Sequence, residues 1–491
     1  MRTKALHIII LLAATIICSM TPARAEHLIV IATNDTHSQI EPNASDNLGG
    51  VFRRRAFFDY MRANNKNVLI VDAGDAVQGT TLYNLYKGEV EYALLDSLNY
   101  DISILGNHDF DNGIDELAKH YKNTKVTKLS ANYDFTGTAM EGVMKPYVIK
   151  EFAGKRVGFF GININPEGLI NPTDYNGMEY SSCESVADSI AKYLKEIEKV
   201  DFTVMLSHIG YESWQNNEDS DCGIASKSHY IDLIIGAYSH TILSPNDPRT
   251  KVKNANGKIV TIGQNGRNGK YIGVYDIDLD NFTVKYDQVA MDTRWDSQAH
   301  YPAMNSWLNS YRSEIKLYLL MPIGYFADTF ENHTIPNEWY TNAFLEIARE
   351  DLGVDNVTIS IQNKRSIRYE IPTGFLTRES LLQSNPFSNQ LVIIELDGYS
   401  LTKFLQKIIE DDNFQSGRDS ILISLSIEGE LDNIKTNRKY RIIMSDYLHS
   451  YLSSIYNIKN QVIYKDPVTI SIRLTDYVIG KTISNKRISY K

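Results

Sequence analysis

Five short apolar runs within the first 240 residues each end in aspartate, asparagine or histidine. Leu28 to Ala32 leads into Asn34-Asp35-Thr36-His37, Val68 to Val71 into Asp72-Ala73-Gly74-Asp75, and Ile102 to Leu105 into Gly106-Asn107-His108-Asp109. Thr203 to Leu206 leads into Ser207-His208, and Leu233 to Ile235 into the segment from Gly236 to His240. Short β-branched runs bounded by polar turns read as buried strands. With the runs Val157 to Ile162 and Ile259 to Ile262, and a helical pattern over Val186 to Lys199, they predict an α/β layered domain. In such sheets ligands sit outside the carboxyl ends of the strands, so the five polar strand ends are expected to converge on one site.

Composition narrows what that site can take. Among 491 residues, 60 acidic side chains face 50 Lys and Arg, for a net charge of -10, the wrong sign for a protein that binds nucleic-acid polymers. A hydrophobic fraction of 43% excludes a disordered or collagenous chain. Arg2 and Lys4, an apolar run from Ile8 to Ile17 and the Ala23-Arg24-Ala25 cleavage pattern predict a signal peptide over residues 1–25. Its removal takes the charge from -10 to -13, through loss of Arg2, Lys4 and Arg24. No later run is long enough to span a bilayer, so the mature chain is expected to be exported to the periplasm or the extracellular space. Cys183 and Cys222 then remain, and an oxidising compartment leaves a disulfide and two separate thiols equally open.

The expected organisation is a first domain over 26–293, a helical linker over 294–320 and a second, smaller α/β domain over 321–491. In the second, a helix is expected near Tyr340 to Glu350 and strands near Val357 to Ile361, Gln390 to Leu396 and Tyr440 to Met444. Within the first domain the residue types point to metal chemistry. Asp35 and His37, two apart at a strand end, can turn toward one ion, and Asn107 and His208 toward another, with Asp75 as the bridging carboxylate. Two divalent ions can clamp a phosphate and hold a bridging hydroxide in line with the leaving group. Oxygen and imidazole donors without thiolate suit Zn, Mn, Fe or Co. His108 adjoins this set, and Asp111, three residues on, can hold its other nitrogen, making an oriented acid–base imidazole.

Asn34-Asp35-x-His37, Gly74-Asp75-x-x-Gln78-Gly79, Gly106-Asn107-His108-Asp109-Phe110-Asp111, Ser207-His208 and Gly236-x-x-Ser239-His240 together resemble the calcineurin-like metallophosphoesterases. The whole layout resembles the secreted 5′-nucleotidases, which include periplasmic UDP-sugar hydrolases. The resemblance implies a four-layer α/β/β/α dimetal domain followed by a smaller α/β nucleotide-recognition domain. It implies Asp35, His37, Asp75, Asn107, His208 and His240 as ligands and a His108/Asp111 dyad. It further implies Asn363 and Arg368 on phosphate and sugar, and Phe387 and Tyr447 as a base clamp. The chain departs from the family at Tyr238, where a metal-binding histidine is expected. A phenol ligates poorly unless ionised, so the second ion is expected to bind weakly, to take an extra water or to be absent. The glycines beside Asn363 are also missing.

The expected activity is metal-dependent phosphate release from nucleotides or related small phosphate esters. Two alternatives stand beside it: an impaired family member serving as a ligand-binding or surface interaction protein, and a phosphodiesterase acting on 2′,3′-cyclic nucleotides or nucleotide sugars. Oligomeric state is not written in the sequence.

Overall fold

The computed structural model describes residues 26–483 apart from 44–45, 79, 168, 213–219, 327–337, 369–370, 372, 388, 411–420, 426–433 and 457–460. The expected signal peptide lies outside the described residues. Among those described, no helix is long and apolar enough to cross a membrane.

The strand His27–Thr33 lies inside a six-stranded sheet, with Tyr271–Asp278 antiparallel on one side and Val68–Asp72, Ile102–Ser103 and Thr127–Lys128 following in parallel on the other. Its side chains alternate between two faces, as the period of a strand requires. Leu28, Val30 and Ala32 join a core with the second sheet, and Ile29 and Ile31 join one with Phe57, Phe58, Leu94 and Leu95 from the helices Val51–Asn64 and Glu89–Ser97. Being buried on both faces explains why these runs are apolar throughout.

The second six-stranded sheet has Phe202–His208 flanked in parallel by Lys155–Asn163 and Leu233–Ile235. On its outer face the helix Cys183–Glu196 buries Cys183, Ala187, Ala191 and Leu194, one stripe of an amphipathic helix. The result is the expected four-layer α/β/β/α arrangement. Gly161 sets how closely the sheets approach: a Cβ there would lie 2.6 Å from the Leu129 carbonyl oxygen and 2.7 Å from Ile104 Cγ2.

The helix Pro302–Leu320 leads toward a five-stranded sheet ordered Ile421–Leu425, Val357–Asn363, Lys439–Ser445, Gln390–Asp397 and Gln461–Thr469. Helices Glu338–Glu350 and Ile470–Ile483 pack on one face, and Gly398–Glu410 and Asp446–Tyr456 on the other. The helical stretch expected from Trp295 is split, with a 3-10 turn over Thr293–Gln298 and a true helix only from Pro302, whose ring suits the first helical position. The helix expected from Val186 begins earlier, at Cys183. Cys183 and Cys222 are not joined in a disulfide, and Cys183 is fully buried in the apolar core with its thiol donating to the Asn163 carbonyl at 3.2 Å, so the disulfide alternative falls away.

Candidate active site

Beyond Thr33 and Asp72 the first two loops keep pairing. The N–H groups of Asp35, His37 and Ser38 donate to the carbonyls of Gly74, Asp75 and Ala76, each at 3.0 Å. Asp35, His37 and Asp75 are therefore held as one unit, in a conformation that side chains seldom adopt. Asp35, His37, Ser38, Asp75, Gln78, Tyr238 and His240 all have positive φ. Such backbone costs about 1–3 kcal/mol per residue and persists where its surroundings over-determine it.

Five of the six expected ligands form two groups here, and Asn107 lines the adjoining cavity with Asp75 and His240. Asp35, His37 and His240 form one group whose donor atoms lie within 4.8 Å of one another, and Asp35, Asp75 and His208 form a second. His37 Nε2 faces His240 Nε2 at 3.0 Å, His240 Nε2 lies 3.5 Å from Asp35 Oδ1, and His208 Nε2 lies 3.2 Å from Asp75 Oδ2. Donors at ~2.1 Å from one ion sit about 3.0–3.5 Å apart, so these spacings fit metal ligation. The carboxylate common to both groups is Asp35, whereas the sequence pattern assigns bridging to Asp75. One oxygen of Asp75 is already engaged, accepting the His108 N–H at 2.9 Å.

Two buried atoms argue for a cation most directly. His208 Nδ1 lies 2.8 Å from the Ala73 carbonyl, which can only accept, so Nδ1 carries the proton and Nε2 turns its other side to two carboxylates. That Nε2 and the Asn107 Oδ1 are both buried without a hydrogen-bond partner. Burial opposes a charged His208, yet Asp75 and Asp35 outweigh it and push its pKa up to about 10. Burial lowers His37 to about 3, leaving a neutral imidazole whose lone pair is free to ligate. Asp75 is lowered despite its burial, by His208 and His108. This donor set fits one or two divalent ions and demands at least one positive charge.

His108 Nδ1 lies 3.0 Å from Asp111 Oδ2, and its Nε2 lies 3.2 Å from the Gln78 amide nitrogen. Burial alone would lower the His108 pKa, but Asp111 and Asp75 overcome it and raise it. The expected dyad is thus assembled. Tyr238 lines the same cavity, its ring 5.8 Å from that of His208, while its backbone N–H donates to both Asp35 oxygens at 3.2 and 3.1 Å.

Two buried carboxyl groups have roles that the motif did not disclose. Asp109 accepts from the Gly106 N–H at 2.6 Å, the Asp75 N–H at 3.3 Å and the Tyr92 hydroxyl at 2.7 Å, clasping the second and third loops together. Burial and the Asp75 charge raise its pKa to about 6. Asp221 accepts the Ser207 hydroxyl at 2.6 Å behind His208. Asp109 stands inside the GNHDFD run, and that position was the available signal; Asp221 had none.

The candidate ligands open into a cavity of about 530 Å³ that the second unit completes with Asn363, Arg368, Phe387 and Tyr447. The Arg368 guanidinium lies over the Phe387 ring at 4.9 Å, and that ring is 6.3 Å from His108. Tyr447 is stacked on Tyr451, 6.1 Å away, one helical turn along. Asn171 donates to Asp446 across the two units at 3.2 Å.

Residues 28–241 match the calcineurin-like phosphoesterase family, and residues 327–422 match the 5′-nucleotidase C-terminal domain. The chain thus carries a calcineurin-like phosphoesterase domain followed by a 5′-nucleotidase C-terminal domain. The chain is 30% identical to snake venom 5′-nucleotidase of Naja atra over 282 residues, spanning 52% of this chain and half (50%) of that protein. It is 24% identical to the 5′-nucleotidase of Homo sapiens over an alignment of 525 residues, covering 94% of this chain and 89% of that one. The fold is shared with the 5′-nucleotidase precursor from Thermus thermophilus, with TM-score 0.73, 24% identity, and coverage of 92% and 96%.

Proposed function

We propose that this chain is an exported metal-dependent phosphohydrolase that releases phosphate from nucleotides or related phosphate esters. One observation carries the reading: a buried oxygen and imidazole donor set opens into the same cavity as His108, Arg368 and Phe387. Held by Asp35, His37, Asp75, Asn107, His208 and His240, divalent ions would polarise the phosphate and supply the attacking hydroxide. His108 faces the cavity with Nδ1 oriented by Asp111, so its Nε2 can carry a proton to the leaving oxygen. Arg368 offers a charged donor fork to the phosphate. Phe387 and Tyr447 offer ring faces to a base, a contact that tolerates different bases.

A ligand-binding protein without turnover is the second reading, motivated by Tyr238 beside His208. A single experiment separates the two. The mature chain, loaded with Mn or Zn, is assayed for phosphate release from mononucleotides, nucleotide sugars and cyclic nucleotides. Turnover is expected that EDTA abolishes and that His108→Ala lowers by about 10²–10⁴-fold. Nucleotide binding without phosphate release from any of these compounds overturns the enzyme reading.

A further inference from the structure

The cavity is electrically uneven. Asp111, Asp174 and Asp446 line it, and Asp174 is close enough to the other two for their charges to help raise its pKa, after burial, to about 6. Lys465 offsets part of this charge, 3.3 Å from Asp446. An additional anionic group on a substrate would be repelled from this quarter. Elsewhere the lining carries Arg267 and Lys270 on the first unit and Arg368 on the second.

These three cations are not equivalent. Lys270 is committed to Asp46 at 2.6 Å, and Arg368 is stacked on Phe387. Arg267 is exposed, and among the described residues its guanidinium has no ion-pair or hydrogen-bond partner. Arg53 and Arg54, by contrast, are bound to Asp296 and to the Gln39 carbonyl.

The backbone that presents Arg267 is unusually well fastened. The Gly266 N–H donates to the Thr241 carbonyl at 3.0 Å, Asn34 donates to the Gly266 carbonyl at 2.7 Å, and the Asn268 N–H donates to the Asp35 carbonyl at 2.7 Å. Gly266 and Asn268 both have positive φ, 68° and 63°. Arg267 is therefore carried between two residues tied to the metal-ligand loop, and its base cannot drift from the reaction centre. A pinned backbone with an uncommitted guanidinium at its tip is a preorganised anion receptor.

We propose that Arg267 is a specificity-determining residue that binds a second anionic group of the substrate, beyond the phosphate being released. The inference rests on the phosphohydrolase reading. A guanidinium donating to phosphate or carboxylate forms charge-assisted, bidentate bonds, so an ester with a single anionic group leaves this interaction unmade and one with a second anionic group completes it. A second phosphate and a carboxylate share this chemistry.

The test compares matched pairs on the metal-loaded full chain and its Arg267→Gln and Arg267→Lys variants: AMP against ADP, and glycerol 3-phosphate against 3-phosphoglycerate. In Arg267→Gln, kcat/KM for the member with the second anionic group is expected to fall about tenfold more than for its partner, and Arg267→Lys should recover part of the difference. An effect confined to ADP assigns the site to phosphate, and one confined to 3-phosphoglycerate assigns it to carboxylate. Equal changes within both pairs overturn the proposal. Calorimetric binding of AMP and ADP to the His108→Ala protein, with and without Arg267→Gln, reads the same preference without turnover. Failure of all turnover with an intact, Arg267-dependent binding ratio would sink the phosphohydrolase reading and leave the subsite standing.

Discussion

Glu91 lies on the helix Glu89–Ser97, only 4% exposed, and neither carboxylate oxygen has a hydrogen-bond partner. It borders a cavity of about 20 Å³ beneath the His37 loop, which Ser38 and Arg54 also line with buried atoms lacking partners. Burial pushes its pKa from 4.5 up to about 7. In the unfolded chain the group ionises near the lower value, so between pH 4.5 and 7 the folded protein holds a proton that the unfolded chain has released. Stability from this group therefore falls as pH rises through that window, and above it the cost reaches roughly 3 kcal/mol. Glu91→Gln keeps the shape and removes the charge. In denaturant titrations of the metal-free protein followed by tryptophan fluorescence, the variant should exceed the parent by about 2–3 kcal/mol at pH 8, and the gap should close toward pH 4.5. A gap independent of pH, or a variant less stable at pH 8, would refute an ionised, unpartnered carboxylate as its cause.

Gly106→Ala would place a Cβ 2.6 Å from the Asp75 backbone nitrogen and against the Asp75 carboxylate. It should lower phosphate release about 100-fold and reduce bound metal by elemental analysis, and full metal content would count against this. Tyr238→His would set an imidazole beside His208. The weaker ion should then bind about tenfold tighter or better, or about 1.4 kcal/mol, in a chelator competition; an unchanged second constant would mean that the side chain at 238 does not reach the ion.

What was legible in the sequence was whatever is local. A polar residue directly after an apolar strand can hardly avoid the sheet's carboxyl edge, so Asp35, His37, Asp75, Asn107 and His208 could be read in advance. His108 and Asp111, three residues apart on one tight turn, were legible for the same reason. What was hidden depends on distant segments meeting. The shared position of Asp35 follows from where His208 and His240 arrive from another sheet. Arg267 stands in an unremarkable polar loop, and its place at the site is visible only once Asn34 and Asp35 are seen to hold that loop. Tyr447 looked like one half of a clamp, yet the helix Asp446–Tyr456 also brings Tyr451 against it.

The bare backbone at Gly161 has a reach beyond packing. Asp35, His37, Asp75 and Asn107 follow strands of one sheet, while His208 ends a strand of the other and His240 follows one, so the candidate ligand set straddles the seam between them. Any methyl group wedged into that seam would act like a shim under one half of a vice, displacing one jaw of ligands relative to the other. Core positions that do not line the cavity, chosen for volume alone, thereby become the calibration of the distances between the candidate ligands.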